Sequence, residues 1–175
     1  MGAKLVRHPG SAGGEALSLE AEAMRRAGGL LTLRYVLTGD VDTVRWPPVG
    51  EPERVDGLWR TTCLEAFVAG GSGGYAELNF APSTRWAAYR FSGRRAGMAP
   101  ADVSEPAIAV RREPGRLELR ADVSGLPDHG PWRVGLTAVV EDVAGRISYW
   151  ALAHPGDKPD FHHPDSFVLE LPVPA

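Results

Sequence analysis

Two carboxylates and an amide stand at matching offsets in neighbouring segments of the chain. Glu65 lies in "LWRTTCLEAFV", and Glu77 and Asn79 lie in "YAELNFAP". Side chains alternate along a strand. Read that way, the first segment puts Trp59, Thr61, Cys63, Glu65 and Phe67 on one face, and the second puts Tyr75, Glu77 and Asn79 together. If the two strands form a hairpin, Leu64, Ala66, Val68, Leu78 and Phe80 merge into a core, and the carboxylates share the other face with the aromatics. That mixture suits a sugar: flat rings cover its apolar C–H faces, while carboxylate and amide groups bond its hydroxyls. The same pattern also describes the solvated face of any antiparallel sheet, and paired carboxylates are the equipment of a glycosidase.

A second concentration of polar chemistry is "YWALAHPGDKPDFHHPDSFVLEL". His154, Asp157, Asp160, His162 and His163 are all metal-capable, but no HExxH or CxxC spacing accompanies them. Prolines divide the segment, which reads as a loop whose His and Asp side chains bond the backbone. His154 and Asp160 are the two residues there that can still reach a ligand, and Phe161 and Phe167 are expected to anchor the loop. Trp150 and Tyr149 point to opposite faces of the preceding strand, so only one can serve a ligand.

Other chemical readings fall away. "VAGGSGGYAEL" lacks the Lys-Ser/Thr of a phosphate-binding loop and leads into a strand, so it is a hairpin connection. No G-x-S-x-G is present. Cys63, the single cysteine, sits mid-strand as a small buried residue rather than a nucleophile, and it excludes an intramolecular disulfide. No catalytic or metal-binding set is therefore expected.

The elements that must position these groups are strands. Clean alternation marks "LSLEAEA", "RLELRADV" and "WRVGLTAVV". Further strands are expected at "LLTLRYVL", "TTCLEAFVA", "YAELNFA", "RWAAYRF", "AIAVRRE", "ISYWALA" and "FVLEL". About ten short strands separated by turn signals form a sandwich or a barrel. Three long loops, at 39–58, 92–105 and 153–166, are the places where function is expected. The length of 175 residues fits one domain over 1–175. A net charge of −3 supplies no field for nucleic acid or an anionic membrane. The N-terminal stretch has no apolar signal region, so a cytoplasmic location is expected.

The stretch "LWRTTCLEAFV…GGYAELNFAPSTRWAAYRF" resembles the central signature of the family 9 carbohydrate-binding modules and related DOMON-like domains. A strand with Trp and a carboxylate, a glycine loop, Tyr-x-Glu with a following Pro, and a further Trp come in that order. "PDFHHPDSF" is similar to the Phe-His-x-Pro-x-x-Phe ending of that family. The resemblance covers about Leu58 to Phe167 and departs from the family at Ala81, where Asn often stands before the Pro. It implies an all-β, antiparallel β-sandwich of immunoglobulin-like or jelly-roll-like type. It implies a non-catalytic domain that binds a saccharide or similar small polar ligand, with Trp59 and Trp150 as platforms and Glu65 and Glu77 as hydrogen-bonding groups. Asn79, His154 and Asp160 complete the expected ligand set. Other DOMON-like branches bind haem, for which Met98, His154 and His162 are candidate axial ligands. A module that docks another protein through its aromatic face, or a glycosidase using Glu65 and Glu77, completes the set of readings.

Overall fold

The computed structural model describes residues 2–71 and 73–174. Twelve strands run in chain order: β1 Gly2–Arg7, β2 Leu17–Arg26, β3 Leu30–Gly39, β4 Cys63–Ala69, β5 Tyr75–Phe80, β6 Trp86–Phe91, β7 Ala99–Pro100, β8 Ala107–Glu113, β9 Arg116–Val123, β10 Trp132–Glu141, β11 Ile147–Ala151 and β12 Leu169–Leu171. Apart from these there are only three short 3-10 turns among the described residues. No helix among them is long and apolar enough to cross a membrane.

The expected strands all form, and two more join them. β1 and β7 fall in segments with too little alternation to announce a strand, and they exist because a neighbouring edge recruits them. All pairings between the strands are antiparallel, in the order β7-β6-β5-β4-β10-β11-β1-β2-β3-β9-β8, with β12 beside the start of β10. The two halves expected of a sandwich are thus one curled sheet. β1 joins them, pairing β2 through Leu5↔Leu19 and β11 through Val6↔Ala151.

Period-2 alternation decides which side of each strand is dry. Leu117, Leu119, Ala121 and Val123 of β9 and Leu31, Leu33, Tyr35 and Leu37 of β3 are all buried. They pack in the same core as Leu64, Ala66 and Val68 of β4 and Leu78 and Phe80 of β5. The β2–β3 turn is tight because Gly28 and Gly29 take φ of +76° and +68°, and a Cβ on Gly29 would lie 2.1 Å from the Leu126 carbonyl oxygen. The two halves are also tied by a buried polar contact: the Tyr35 hydroxyl donates to the Glu65 carbonyl oxygen at 2.6 Å.

Trp150 belongs to this core and not to a ligand platform. Only 3% of it is exposed, and its Nε1 donates to Ser148 Oγ at 2.9 Å. The alternation of β11 sends it inward and sends Tyr149 to the opposite face.

The Tyr35 contact yields a measurable expectation. Tyr35→Phe keeps the ring and removes a fully buried donor, so it should lower stability to urea by roughly 1–2 kcal/mol. A loss below roughly 0.3 kcal/mol would show that the bond contributes nothing net.

Candidate functional site

The outer face of β10-β4-β5-β6 is covered rather than solvated. Its residues line up in rows fixed by register. One row runs Thr137, Glu65, Asn79, Ala87, and the next runs Gly135, Phe67, Glu77, Tyr89. A second apolar cluster grows on this face from Phe67, Tyr75, Ala87, Tyr89 and Phe91, capped by Phe167. Gly135 is what lets Phe167 in, since a Cβ there would lie 2.8 Å from the Phe167 ring. Phe167 instead stacks on Phe67, with ring centroids 5.7 Å apart at 20°.

Three connections close over the face and leave a cleft of about 640 Å³. Glu65 and Glu77 lie at its floor. Phe67, Phe91, Tyr149 and Phe161 supply aromatic wall, and Trp59 stands at the side, 37% exposed and edge-on to Tyr89. Arg95, Met98 and Lys158 border it from the exposed parts of the loops.

The carboxylates sit in unusual surroundings. Glu65 is 2% exposed; its Oε2 accepts from Thr137 Oγ1, directly across the strand pair, at 3.1 Å, and its Oε1 has no partner. Burial, reinforced by the charge of Glu77, pushes its carboxyl up to about 8. Glu77 is also raised by burial, against the opposing pull of the Asn79 bond and the charge of Arg95. Asn79 Nδ2 donates to Glu77 Oε1 at 2.9 Å. Asn79 is wholly buried and does not line the cleft, so it orients Glu77 instead of touching a ligand.

Loop residues complete the floor. Arg95 holds a left-handed φ of +54°, rare for a residue with a side chain. Its backbone N–H donates to the Tyr75 hydroxyl at 3.1 Å, and that hydroxyl meets His162 Nδ1 at 2.7 Å. A Tyr75 hydroxyl that accepts from Arg95 and donates to Nδ1 puts the ring proton on Nε2, 3.7 Å from Glu77 Oε2. Burial and then the Arg95 charge hold His162 down to about 4, so it is neutral at pH 7.

Of the seven expected ligand residues, Trp59, Glu65 and Glu77 line one cleft. Asp160 stands behind the wall. It accepts from Arg94 and, at 2.9 Å, from Arg95, fastening the 92–98 loop to the 153–166 loop, and it takes the His162 N–H at 3.1 Å. Burial works against its charge, and the two arginines outweigh this to hold the carboxyl below its ordinary range. His154 is a correction: its Nε2 donates to the Val6 carbonyl at 2.8 Å and its ring packs edge-on against His8, so it ties the loop to β1 away from the cleft lining. Trp150 is likewise replaced at the cleft, by Tyr149 on the opposite face of the same strand. The backbone role expected for the closing loop is visible in His163 Nδ1, which accepts from the Asp165 N–H at 3.2 Å. Among the described residues no three His, Cys, Asp or Glu side chains gather to hold a metal ion.

The pH dependence of stability follows from the floor. A carboxyl raised to about 8 when folded binds its proton more tightly folded than unfolded, so its contribution is present at low pH and is lost as pH rises from about 4.5 toward 8. His162, held down to about 4, acts in the opposite sense between about 4 and 6.5, favouring the fold as pH rises. Above about pH 6.5 the histidine contribution is constant, and stability should fall toward pH 8. Glu65→Gln should remove that fall and be the more stable protein at about pH 9, by an amount on the order of a few kcal/mol. Parallel urea curves for the two proteins across this range would contradict the assignment.

No family model matches the chain, and no curated protein sequence matches it. Among solved structures, the crystal structure of a protein from Bacteroides uniformis described as a "putative carbohydrate-binding protein" shares the architecture, with a TM-score of 0.68 over 98% of this chain and 85% of that one. The two sequences are 16% identical; the likeness shows that this curled all-β fold occurs in both.

Proposed function

We propose that the cleft binds a saccharide or a similar small polar ligand without transforming it, as expected of a DOMON-like or family 9 carbohydrate-binding module. The observation that carries the reading is the cleft itself: about 640 Å³ of space with aromatic walls and a floor of two carboxyl groups. A ring of one or two sugars fits such a volume. Trp59 offers an indole at the open side for stacking, and Glu65 and Glu77 offer hydrogen bonds to hydroxyls. The description of the structural neighbour points the same way. In this reading Trp59, Glu65 and Glu77 touch ligand, Asn79 and His162 orient Glu77, and Arg94, Arg95 and Asp160 fix the loops.

Haem is supported less well. His162 has Nδ1 on Tyr75 and Nε2 toward Glu77, and His154 is spent on Val6. An axial role would require either ring to give up its partners.

Trp59 reports on the proposal directly. The other tryptophans are buried or half-buried and do not line the cleft. A bound sugar should change tryptophan fluorescence, and Trp59→Ala should abolish the change and weaken binding about tenfold, the size of a lost stacking contact. No response in fluorescence or thermal shift across a panel of mono- and disaccharides would overturn the reading.

A further inference from the structure

We infer that the ligand of this cleft carries a protonated amine, so that the sugar recognised is an amino sugar with its ammonium group seated between Glu65 and Glu77. The inference rests on the saccharide reading for the ring and on separate observations for the charge.

The first observation is an imbalance of charge. Glu65 and Glu77 belong to adjacent strands and adjacent rows, as diagonal neighbours across the β4–β5 ladder. Both are more than nine-tenths buried. Among the described residues, no Lys or Arg lies within ion-pair distance of either carboxylate; their partners are the uncharged Thr137 and Asn79 and the neutral His162, 3.7 Å from Glu77 Oε2. Two buried carboxyl groups this close cannot both ionise without a counter-cation. The other buried acid among the described residues is paired, Asp142 meeting Arg146, and the half-buried Glu118 meets Arg34, Arg116 and Arg120. Among the described residues, the buried carboxylates without a cationic partner are the two that line the cleft.

The second observation is an imbalance of hydrogen bonds. Glu65 Oε1 is buried without a partner, and Glu77 Oε2 has only the long approach of His162 Nε2. An unmet buried acceptor destabilises the empty site. An ammonium brings three N–H donors and no acceptor, which matches a floor that offers acceptors. A plain hydroxyl supplies one donor against the three of an ammonium.

The third is the wall. Trp59, Phe67, Phe91, Tyr149 and Phe161 ring the space above the carboxylates, and the faces of such rings attract cations. The two basic residues at the cleft do not fill this role. Arg95 is committed to Asp160 at 2.9 Å, and Lys158 lies on an exposed part of the loop. The other titratable groups packed around Glu65, namely Cys63 on its own strand and Tyr35 from the facing half, carry no positive charge.

Binding of an ammonium should drive the Glu65 proton off, because the paired carboxylate becomes the favoured form. Titration calorimetry on the full chain at about pH 6.5, where an amine of this kind is protonated, would compare glucosamine, glucose, N-acetylglucosamine and the non-sugar amine cyclohexylamine in buffers of different ionisation enthalpy. Glucosamine should bind at least about tenfold more tightly than glucose or N-acetylglucosamine, with proton release that the neutral sugars do not show. Glu65→Gln, with its fold checked by near-ultraviolet circular dichroism, should erase both the preference and the proton release. Equal binding of the three sugars would overturn this inference and leave the saccharide reading standing. Cyclohexylamine binding as tightly as glucosamine would keep the cation and overturn the sugar. Preference without proton release would remove Glu65 from the ammonium site and overturn the placement, and no binding by any of the four would overturn both readings.

Discussion

A carboxyl group held away from water on the outer face of a sheet is the constraint around which this molecule is arranged. Glu65 sits on a strand whose two faces are both dry. Leu64, Ala66 and Val68 enter the core, while Cys63, Glu65 and Phe67 lie under loops. An antiparallel strand ordinarily pairs one wet face with one dry face, and β4 does not. Its outer face must therefore be roofed, and the roof has to be built from loops, because the sheet has no second partner on that side. The long connections exist to do this, and the cleft is the space they leave.

The roof is held by specific chemistry. Phe167 reaches down through the gap left by Gly135 to stack on Phe67, and the Ser166 hydroxyl donates its one proton to the His163 carbonyl at 2.6 Å, with the Phe161 carbonyl also within reach at 3.0 Å. Arg94 and Arg95 clasp Asp160, joining one loop to the other. The exposed side of that clasp is screened by solvent and adds little stability by itself. Its effect is to set where the Arg95 backbone lies, and that N–H begins the chain through Tyr75 and His162 to Glu77. Position on the rim is thus converted into orientation at the floor.

Much of this was legible in the sequence, and the boundary is physical. Strand alternation needs only local information, so the shared face of Glu65 and Glu77, the hairpin that joins them and the inward face of β9 can be read directly; Trp59 reaches the cleft from a 3-10 turn over Leu58–Arg60, ahead of β4, which strand alternation does not describe. The same rule said that Tyr149 and Trp150 part company but not which way each turns, because the sign depends on which side of β11 the distant β2 and β3 come to cover. Asp160 reads as a ligand contact in the sequence and is instead a clasp for Arg94 and Arg95, partners that lie too far away in the chain to be legible there. Tyr75, Phe161 and His162 were seen as loop or strand chemistry, but their meeting is tertiary. β1 and β7 were missed because short edge strands draw their order from neighbours and leave almost no pattern of their own.

The single sheet has a consequence for how the chain reaches this state. β1 is the joint between the halves, and its second partner is β11, most of the chain away. Pairings between such distant segments carry a loop-closure cost before any contact repays it, and topologies that depend on them fold slowly. During synthesis β2 and β3 can form a hairpin early, yet the edge that β1 offers to β11 stays open until nearly the whole sheet has emerged. The last part of the roof over Glu65 comes later still, from the segment that follows β11. A nascent chain therefore passes through a stage with a bare sheet face and an unmatched edge, where transient shielding by a chaperone would have most to protect.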